Sequence, residues 1–377
     1  MFELSDEQRL IQQTAREFAE REIWPEAARC DQEKCFPQEI AAKARELGLF
    51  NLTVPEEYGG PGLGALELAL VTEQLAWGCV GLGGGISLNN LPADVLLVSG
   101  NADQKREYLG RLITSEYGSY AVTEPGAGSD VAGISTRAVR DGDGYLLNGS
   151  KVWISNAPLA GFFTVLAKTD PEAGYRGLSF FLVERDSPGL EVGNPLPKLG
   201  QNAVPAAEVF FNDVRVPREA LLGNEGDGFK IAMQVFDRSR PMVAAFAVGL
   251  MQRCLDVSLA YARERKTMGQ AIIHHQAIGH KLAEMEMRLQ AARLMTYQAA
   301  WLLDAGKRNT LQAACAKAFA ADAAMWVATE TLQIFGGYGY SPEFPAEKLF
   351  RDAKVLQIYE GTSEIQRNII ARELGNR

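Results

Sequence analysis

Three short segments hold the residue types that chemistry needs. The first is Tyr359-Glu360-Gly361-Thr362-Ser363-Glu364-Ile365-Gln366, near the end of the chain. Ser363 followed by Gln366 predicts a capping box that opens a final helix. Glu360 then falls on the connection before that helix, where a carboxylate can project into a cleft and Gly361 leaves room for a ligand. The second segment, Thr123-Glu124-Pro125-Gly126-Ala127-Gly128-Ser129-Asp130, combines glycine backbone with the Ser129 hydroxyl. Its amides can approach a ligand closely, and the donor set suits a phosphate. It is neither a Walker A loop, since no Gly-Lys-Ser/Thr follows, nor a dinucleotide fingerprint, since strands surround it. The third, Lys151-Val152-Trp153-Ile154-Ser155-Asn156, lets a flat heteroaromatic ring stack on Trp153 while Ser155 bonds its edge. Taken singly, each has a plainer reading: a structural turn, a tryptophan in a sheet core, a solvated loop acid.

The rest of the composition narrows the chemistry. The only histidines are His274, His275 and His280, all within seven residues, whereas Ser-His-Asp catalysis and most zinc sites need histidine brought in from elsewhere along the chain. No metal is expected. The five cysteines (Cys30, Cys35, Cys79, Cys254 and Cys315) form no C-x-x-C pair and read as small hydrophobes or surface thiols of a reducing compartment. With 47 acidic against 38 basic residues the net charge is −9, and no basic block appears. Nucleic acid and an anionic membrane surface are therefore not expected partners. No apolar stretch of about 18 residues stands out, and the charged residues 1–9 lack the apolar core of a leader.

The elements that must position these segments follow from periodicity. Ser5 reads as an N-cap, with Leu10, Ala15, Phe18 and Ile23 at helical spacing behind it. The turn-rich residues 55–62 interrupt, and Leu66, Leu70, Glu73 and Trp77 resume a helix; an amphipathic piece runs from Asp103 to about Ile113. Near Tyr120 the texture changes. Asp141-Gly142-Asp143-Gly144 predicts a hairpin between residues 135–140 and 145–148, and residues 151–155, 162–168, 178–184 and 207–211 add strands. Strands at short intervals without helices suggest an antiparallel barrel or sandwich. From Gly228 the helical period returns: Phe246, Leu250, Cys254, Val257 and Tyr261, then Ile278, Leu282, Met285, Leu289 and Ala292, then residues 311–335. These should pack as an antiparallel bundle. The expected plan is an N-terminal helical domain (1–118), a β-barrel-like domain (119–227) and a C-terminal four-helix bundle (228–377), an α+β multidomain chain.

On these residues the sequence resembles the acyl-CoA dehydrogenase family. The resemblance covers nearly the whole chain and includes residues 55–60, 123–130, 153–156, 226–233, 263–269, 333–337 and 351–367, in family order and spacing. It implies bound FAD and an acyl-CoA thioester. Tyr120, Val122, Thr123 and Ser129 would line the flavin and pyrophosphate region, and Trp153 and Ser155 would contact the isoalloxazine. Arg265, Thr267, Gln276, Gln333, Gly336 and Gly337 would hold the FAD of a neighbouring subunit, implying a homotetramer. Thr362 and Glu364 would complete the flavin site. Ser129, Asp237 and Arg240 would face the CoA part, and Gly361 the thioester. Electron transfer flavoprotein is the implied redox partner. The implied compartment is a bacterial cytoplasm or, for an organellar protein, the mitochondrial matrix. Many members carry Phe where Met268 stands, and either Gln or Glu where Glu364 stands.

The resemblance also implies a mechanism: a carboxylate removes the proton α to a thioester while hydrogen bonds hold the carbonyl oxygen, one of them from the Glu360 amide. In the family the base comes either from the Tyr-Glu-Gly-Thr turn or from the residue before the arginine that here is Arg240. This chain has Glu360 at the first place and Ser239 at the second. Asp237, two residues from Ser239 on a helix, points about 200° away from it. Glu360 is the expected base. Alternatives are a dehydrogenase for branched or alicyclic acyl-CoA, an oxidase, or an assembly factor without turnover. A desulfinase is disfavoured because such relatives lack the carboxylate.

Overall fold

The computed structural model describes residues 3–375, so Met1, Phe2, Asn376 and Arg377 lie outside the described residues. Ser5 does cap the first helix: its hydroxyl accepts from the Gln8 N–H at 3.1 Å, and the Gln8 side chain accepts from the Ser5 N–H at 3.0 Å. The N-terminal helices are α1 (Asp6–Phe18), α2 (Ala27–Glu33), α3 (Gln38–Glu46), α4 (Ala65–Gly78), α5 (Val80–Ser87), α6 (Asn90–Ser99), α7 (Ala102–Gln104) and α8 (Gly110–Thr114). The amphipathic piece expected from Asp103 to Ile113 is broken by a π-helical turn, Lys105–Leu109.

Strands follow. They are β1 (Tyr117–Ala121), β2 (Arg137–Asp141), β3 (Gly144–Ser155), β4 (Ala160–Lys168), β5 (Leu178–Glu184), β6 (Leu190–Val192), β7 (Ala206–Pro217) and β8 (Leu221–Leu222). The hairpin expected around Gly142 joins β2 to β3, with Asp141 opposite Gly144. The sheet runs in the order β6-β7-β3-β2-β4-β5-β8 and stays open, and β1 adds to β4. It is also mixed, because β1 and β2 both pair with β4 in parallel. Local patterning cannot register such pairings, since parallel neighbours are joined only by long crossovers.

Helices return at Gly228: α9 (Gly228–Glu264), α10 (Gln276–Asp304), α11 (Thr310–Phe335), α12 (Ala346–Lys354) and α13 (Ser363–Gly375). Helices α9, α10 and α11 pack on one another, and α13 packs on α11. Against expectation, α9 does contain an 18-residue window of mean hydropathy 1.4, long and apolar enough to cross a membrane. Of that window 78% is buried within the fold, so its apolarity is spent on the core of this molecule.

The N-terminal helices dock on this bundle. Twelve of the 14 residues of α4 are buried, so the helix is covered on every side rather than along one stripe. Gly249 of α9 permits the contact: a Cβ there would lie 2.2 Å from the Glu73 carbonyl oxygen. Asp304, ending α10, accepts from the Ala65 N–H at 2.6 Å and the Leu66 N–H at 2.9 Å. A bundle carboxylate thus caps the positive end of α4, which fixes the two layers against each other.

Candidate active site

A cavity of about 1140 Å³ opens where the sheet, the N-terminal helices and the bundle meet. It gathers residues that are far apart in sequence. Tyr120, Val122, Thr123, Ser129, Trp153, Ser155, Asp237, Arg240, Glu360, Gly361 and Thr362 all lie on its wall, with Leu88 from the link between α5 and α6 and Leu91 from the first turn of α6.

Glu360 stands on the connection before α13 with left-handed backbone (φ +55°), followed by Gly361 at φ +83°. The left-handed backbone at Gly361 favours glycine, and a Cβ there would press on the Gln366 side-chain nitrogen from 2.6 Å. The Gln366 amide donates back to the carbonyls of Glu360 and Gly361, at 3.1 and 3.0 Å. The cap itself differs from expectation. Thr362, not Ser363, accepts from the Ile365 N–H at 3.2 Å, because Ser363 gives its hydroxyl to Asp322 at 2.9 Å. The half-buried Glu360 carboxylate has one hydrogen-bond partner among the described residues, the Ser239 hydroxyl, which donates to Oε2 at 2.8 Å. Burial pushes this carboxyl above the ordinary range, against the pull of Ser239, Arg240 and Lys317.

The rival carboxylate is occupied elsewhere. Asp237 accepts from Arg240 Nη1 at 2.5 Å and from the Thr310 hydroxyl at 2.6 Å. It lies off the Ser239 direction, as the helical period requires. Pro241 has no N–H to give the Asp237 carbonyl, four residues back in α9, and the Asn309 side chain supplies that bond at 3.0 Å. Arg240 is 3% exposed, and its Nε has no partner among the described residues.

The glycine-rich loop is held from below. Glu124 accepts from the Ser135 N–H and hydroxyl (2.6 and 2.8 Å), the Thr136 N–H (3.0 Å) and the ammonium of fully buried Lys151 (2.7 Å). Burial alone would raise this carboxyl, but the Lys151 charge and these donors hold it down at about 2. Above this base, Gly126 and Gly128 would meet nothing with a Cβ, and exposed Ser129 faces the cavity.

Trp153 departs from the plain strand expected. The pairing of β3 with β7 shifts register between Lys151 and Ile154, and Trp153 sits in that bulge at φ +61°. Bulges re-aim side chains; here the indole is 55% exposed on the cavity wall rather than in the sheet core.

The donor chemistry fits FAD. A broad indole beside the Ser155 hydroxyl suits a flat ring. The open glycine-rich loop with Ser129 suits a pyrophosphate, and the Tyr120 hydroxyl is buried in the cavity wall without a partner among the described residues.

A second groove, of about 530 Å³, contains Arg265, Thr267, Gly336 and Gly337. Tyr261 stacks on Phe335 at 4.2 Å to form its floor, and Thr267 bonds His275 Nε2 at 2.9 Å. Gln276 and Gln333 are exposed next to lining residues in sequence but are not on its wall. Met268 is 95% exposed. Glu364 lies on neither wall: its carboxylate turns back to its own N–H and the Thr362 hydroxyl, which hold it below the usual range.

Sequence reasoning missed three functional neighbours: Ser239 as a donor to Glu360, the Glu124–Lys151 pair, and Lys317, whose ammonium reaches the Gly361 carbonyl at 2.6 Å. For Lys317 a signal exists. It is a lone charge in the stripe Ala313, Ala320 and Ala324 of α11. Among the described residues no cluster that could hold a metal ion occurs.

Three family models match in sequence: the acyl-CoA dehydrogenase N-terminal domain at 5–116, middle domain at 119–214 and C-terminal domain at 226–375. The chain is 43% identical to cyclohexane-1-carbonyl-CoA dehydrogenase of Geobacter metallireducens, over 99% of each chain. It is 42% identical to the mitochondrial short-chain specific acyl-CoA dehydrogenase of Bos taurus, over 99% of this chain and 91% of that one. Its fold superposes on butyryl-CoA dehydrogenase from Megasphaera elsdenii with a TM-score of 0.97 at 38% identity, covering 99% of both.

Proposed function

The chain belongs to the acyl-CoA dehydrogenase family, and on that premise we propose that it converts a saturated acyl-CoA to the trans-2-enoyl-CoA with Glu360 as the base. The observation that carries this reading is the Glu360 carboxylate itself: on the cavity wall, raised by burial and held by a single hydroxyl. A carboxylate with a raised pKa is better matched to a weakly acidic α-proton. Glu360 takes that proton, and the thioester oxygen is held by the Glu360 N–H, which has no acceptor among the described residues. Bound FAD supplies the acceptor for the hydride that leaves the β-carbon. The substrate thus loses one proton and one hydride and gains a double bond.

Trp153 and Ser155 would hold the isoalloxazine ring, and Tyr120, Val122, Thr123, Ser129 and Thr362 would hold the rest of the cofactor. Asp237, Arg240 and Ser129 meet the CoA portion, while Gly361 leaves room for the thioester. The groove at Arg265, Thr267, Gly336 and Gly337, with Gln276 and Gln333 beside it, receives the FAD of a neighbouring subunit in a homotetramer. Electron transfer flavoprotein takes the electrons onward.

Anaerobic addition of acyl-CoA to the yellow protein, followed by air, tests the reading. A dehydrogenase bleaches and recolours slowly. Fast recolouring means an oxidase, and no bleaching with any acyl-CoA removes the proposal. A panel of butyryl-, octanoyl- and cyclohexanecarbonyl-CoA with an artificial acceptor then separates straight-chain from alicyclic preference.

A further inference from the structure

Lys317 lies in the middle of α11 and is fully buried. Burying an ammonium is costly unless its charge and its donors are answered. Its one hydrogen bond among the described residues goes to the Gly361 carbonyl, at 2.6 Å, on the turn that carries Glu360. No carboxylate accepts from it, unlike Lys151, which is bound directly to Glu124. A methionine would fill the same space without the charge, so packing alone does not call for lysine here.

We propose that Lys317 is a positioning residue for the base. Its hydrogen bond fixes the backbone of the 359–362 turn, and its positive charge, placed behind that turn, keeps the buried Glu360 carboxyl ionisable. The inference rests on the reading of Glu360 as the base.

The surroundings are consistent in sign. Glu360, Asp322 and Glu364 favour the charged lysine, while burial and Arg240 oppose it, and the result is an ammonium lowered to about 8. Glu360 in turn is faced by Ser239 and Arg240 from α9, Lys317 from α11 and Asp94 from α6, with the Tyr120 and Tyr359 hydroxyls nearby. Of these, Arg240 and Lys317 are the two cations. Arg240 is already paired with Asp237, which leaves Lys317 as the cation with no carboxylate in contact.

The test is the pH dependence of flavin reduction by acyl-CoA in Lys317→Gln and Lys317→Met. Glutamine keeps a donor for the Gly361 carbonyl but no charge; methionine keeps neither. Without the cation the Glu360 pKa rises, so the acidic limb of the rate profile should move to higher pH by about one unit in both variants. The loss should be about tenfold below the limb and should fade above it in Lys317→Gln. Lys317→Arg should restore the parent limb. A purely structural role would lower the whole profile without moving the limb, and that outcome overturns the proposal. Failure of both Gln and Met variants to hold FAD overturns it too, because Lys317 would then be a fold anchor. If the parent protein itself never bleaches, the dehydrogenase reading fails, and this inference with it. If the parent bleaches and the limbs coincide, only the inference fails.

Discussion

The loop at 123–130 and the turn at 359–362 each take a carboxylate out of water beside a buried lysine, and they answer it differently. Glu124 receives four donors, the Lys151 ammonium among them, and is held at about 2. Glu360 receives one hydroxyl; its lysine bonds a backbone carbonyl instead, and the carboxyl is pushed up. A saturated carboxylate has no lone pair to spare and serves as a rivet. An under-satisfied one pays in stability and keeps an acceptor site for a proton. On the proposed reading, the contrast lets one cavity combine a firmly held loop with a base.

The largest effect that could break this contrast is on turnover. Glu360→Gln should keep FAD and bind acyl-CoA, yet lose flavin reduction by about two to four orders of magnitude, the usual worth of a general base. Stopped-flow bleaching within about tenfold of the parent would remove Glu360 from the role. Next comes the rivet. Glu124→Leu strands the Lys151 charge in the interior and should cost about 3–5 kcal/mol in urea denaturation; an unchanged midpoint would mean the pair does not anchor the loop.

The same acid gives a pH signature. Its folded pKa is depressed, so its stabilisation is complete above the unfolded value of about 4.3 and disappears as pH falls to about 2. The stability gap between parent and Glu124→Leu should therefore narrow across that window and stay constant above it until Lys151, whose ammonium burial lowers to about 8, begins to lose its charge. For Glu360 the sign reverses: a raised folded pKa means that the ionised form costs stability at neutral pH, so Glu360→Gln should melt higher than the parent at pH 7. The smallest effect belongs to Ser239→Ala. Losing one neutral donor, about 1 kcal/mol, should shift the acidic limb of flavin reduction upward and lower the rate there about fivefold. A lower plateau with an unmoved limb would show that Ser239 only packs.

How much of this was legible in the chain depends on the range of the interaction. Ser5 with Gln8, the Gly142 hairpin and the long helices rest on contacts within a few residues, and period and capping rules read those directly. The parallel pairing of β1 with β4 joins residues some forty positions apart, beyond any local pattern. The cap at Thr362 rather than Ser363 was decided by Asp322, which claims the Ser363 hydroxyl from another helix. Trp153 was legible as a large aromatic beside a serine, but its direction was not. That depends on a register shift against β7, a strand more than fifty residues later. Glu360 was placed correctly on its connection, whereas the donor that touches it comes from α9.

A helix behaves as a beam whose stiffness is distributed over its rungs, and Pro241 removes one rung at the turn that carries Asp237, Ser239 and Arg240. Compliance should concentrate there, since about six turns follow with no second proline. The Asn309 amide, tied to the Asp237 carbonyl, acts as a guy-line on that soft joint. A load on the cavity face should be taken up at this turn first, with the Asn309 bond limiting its travel.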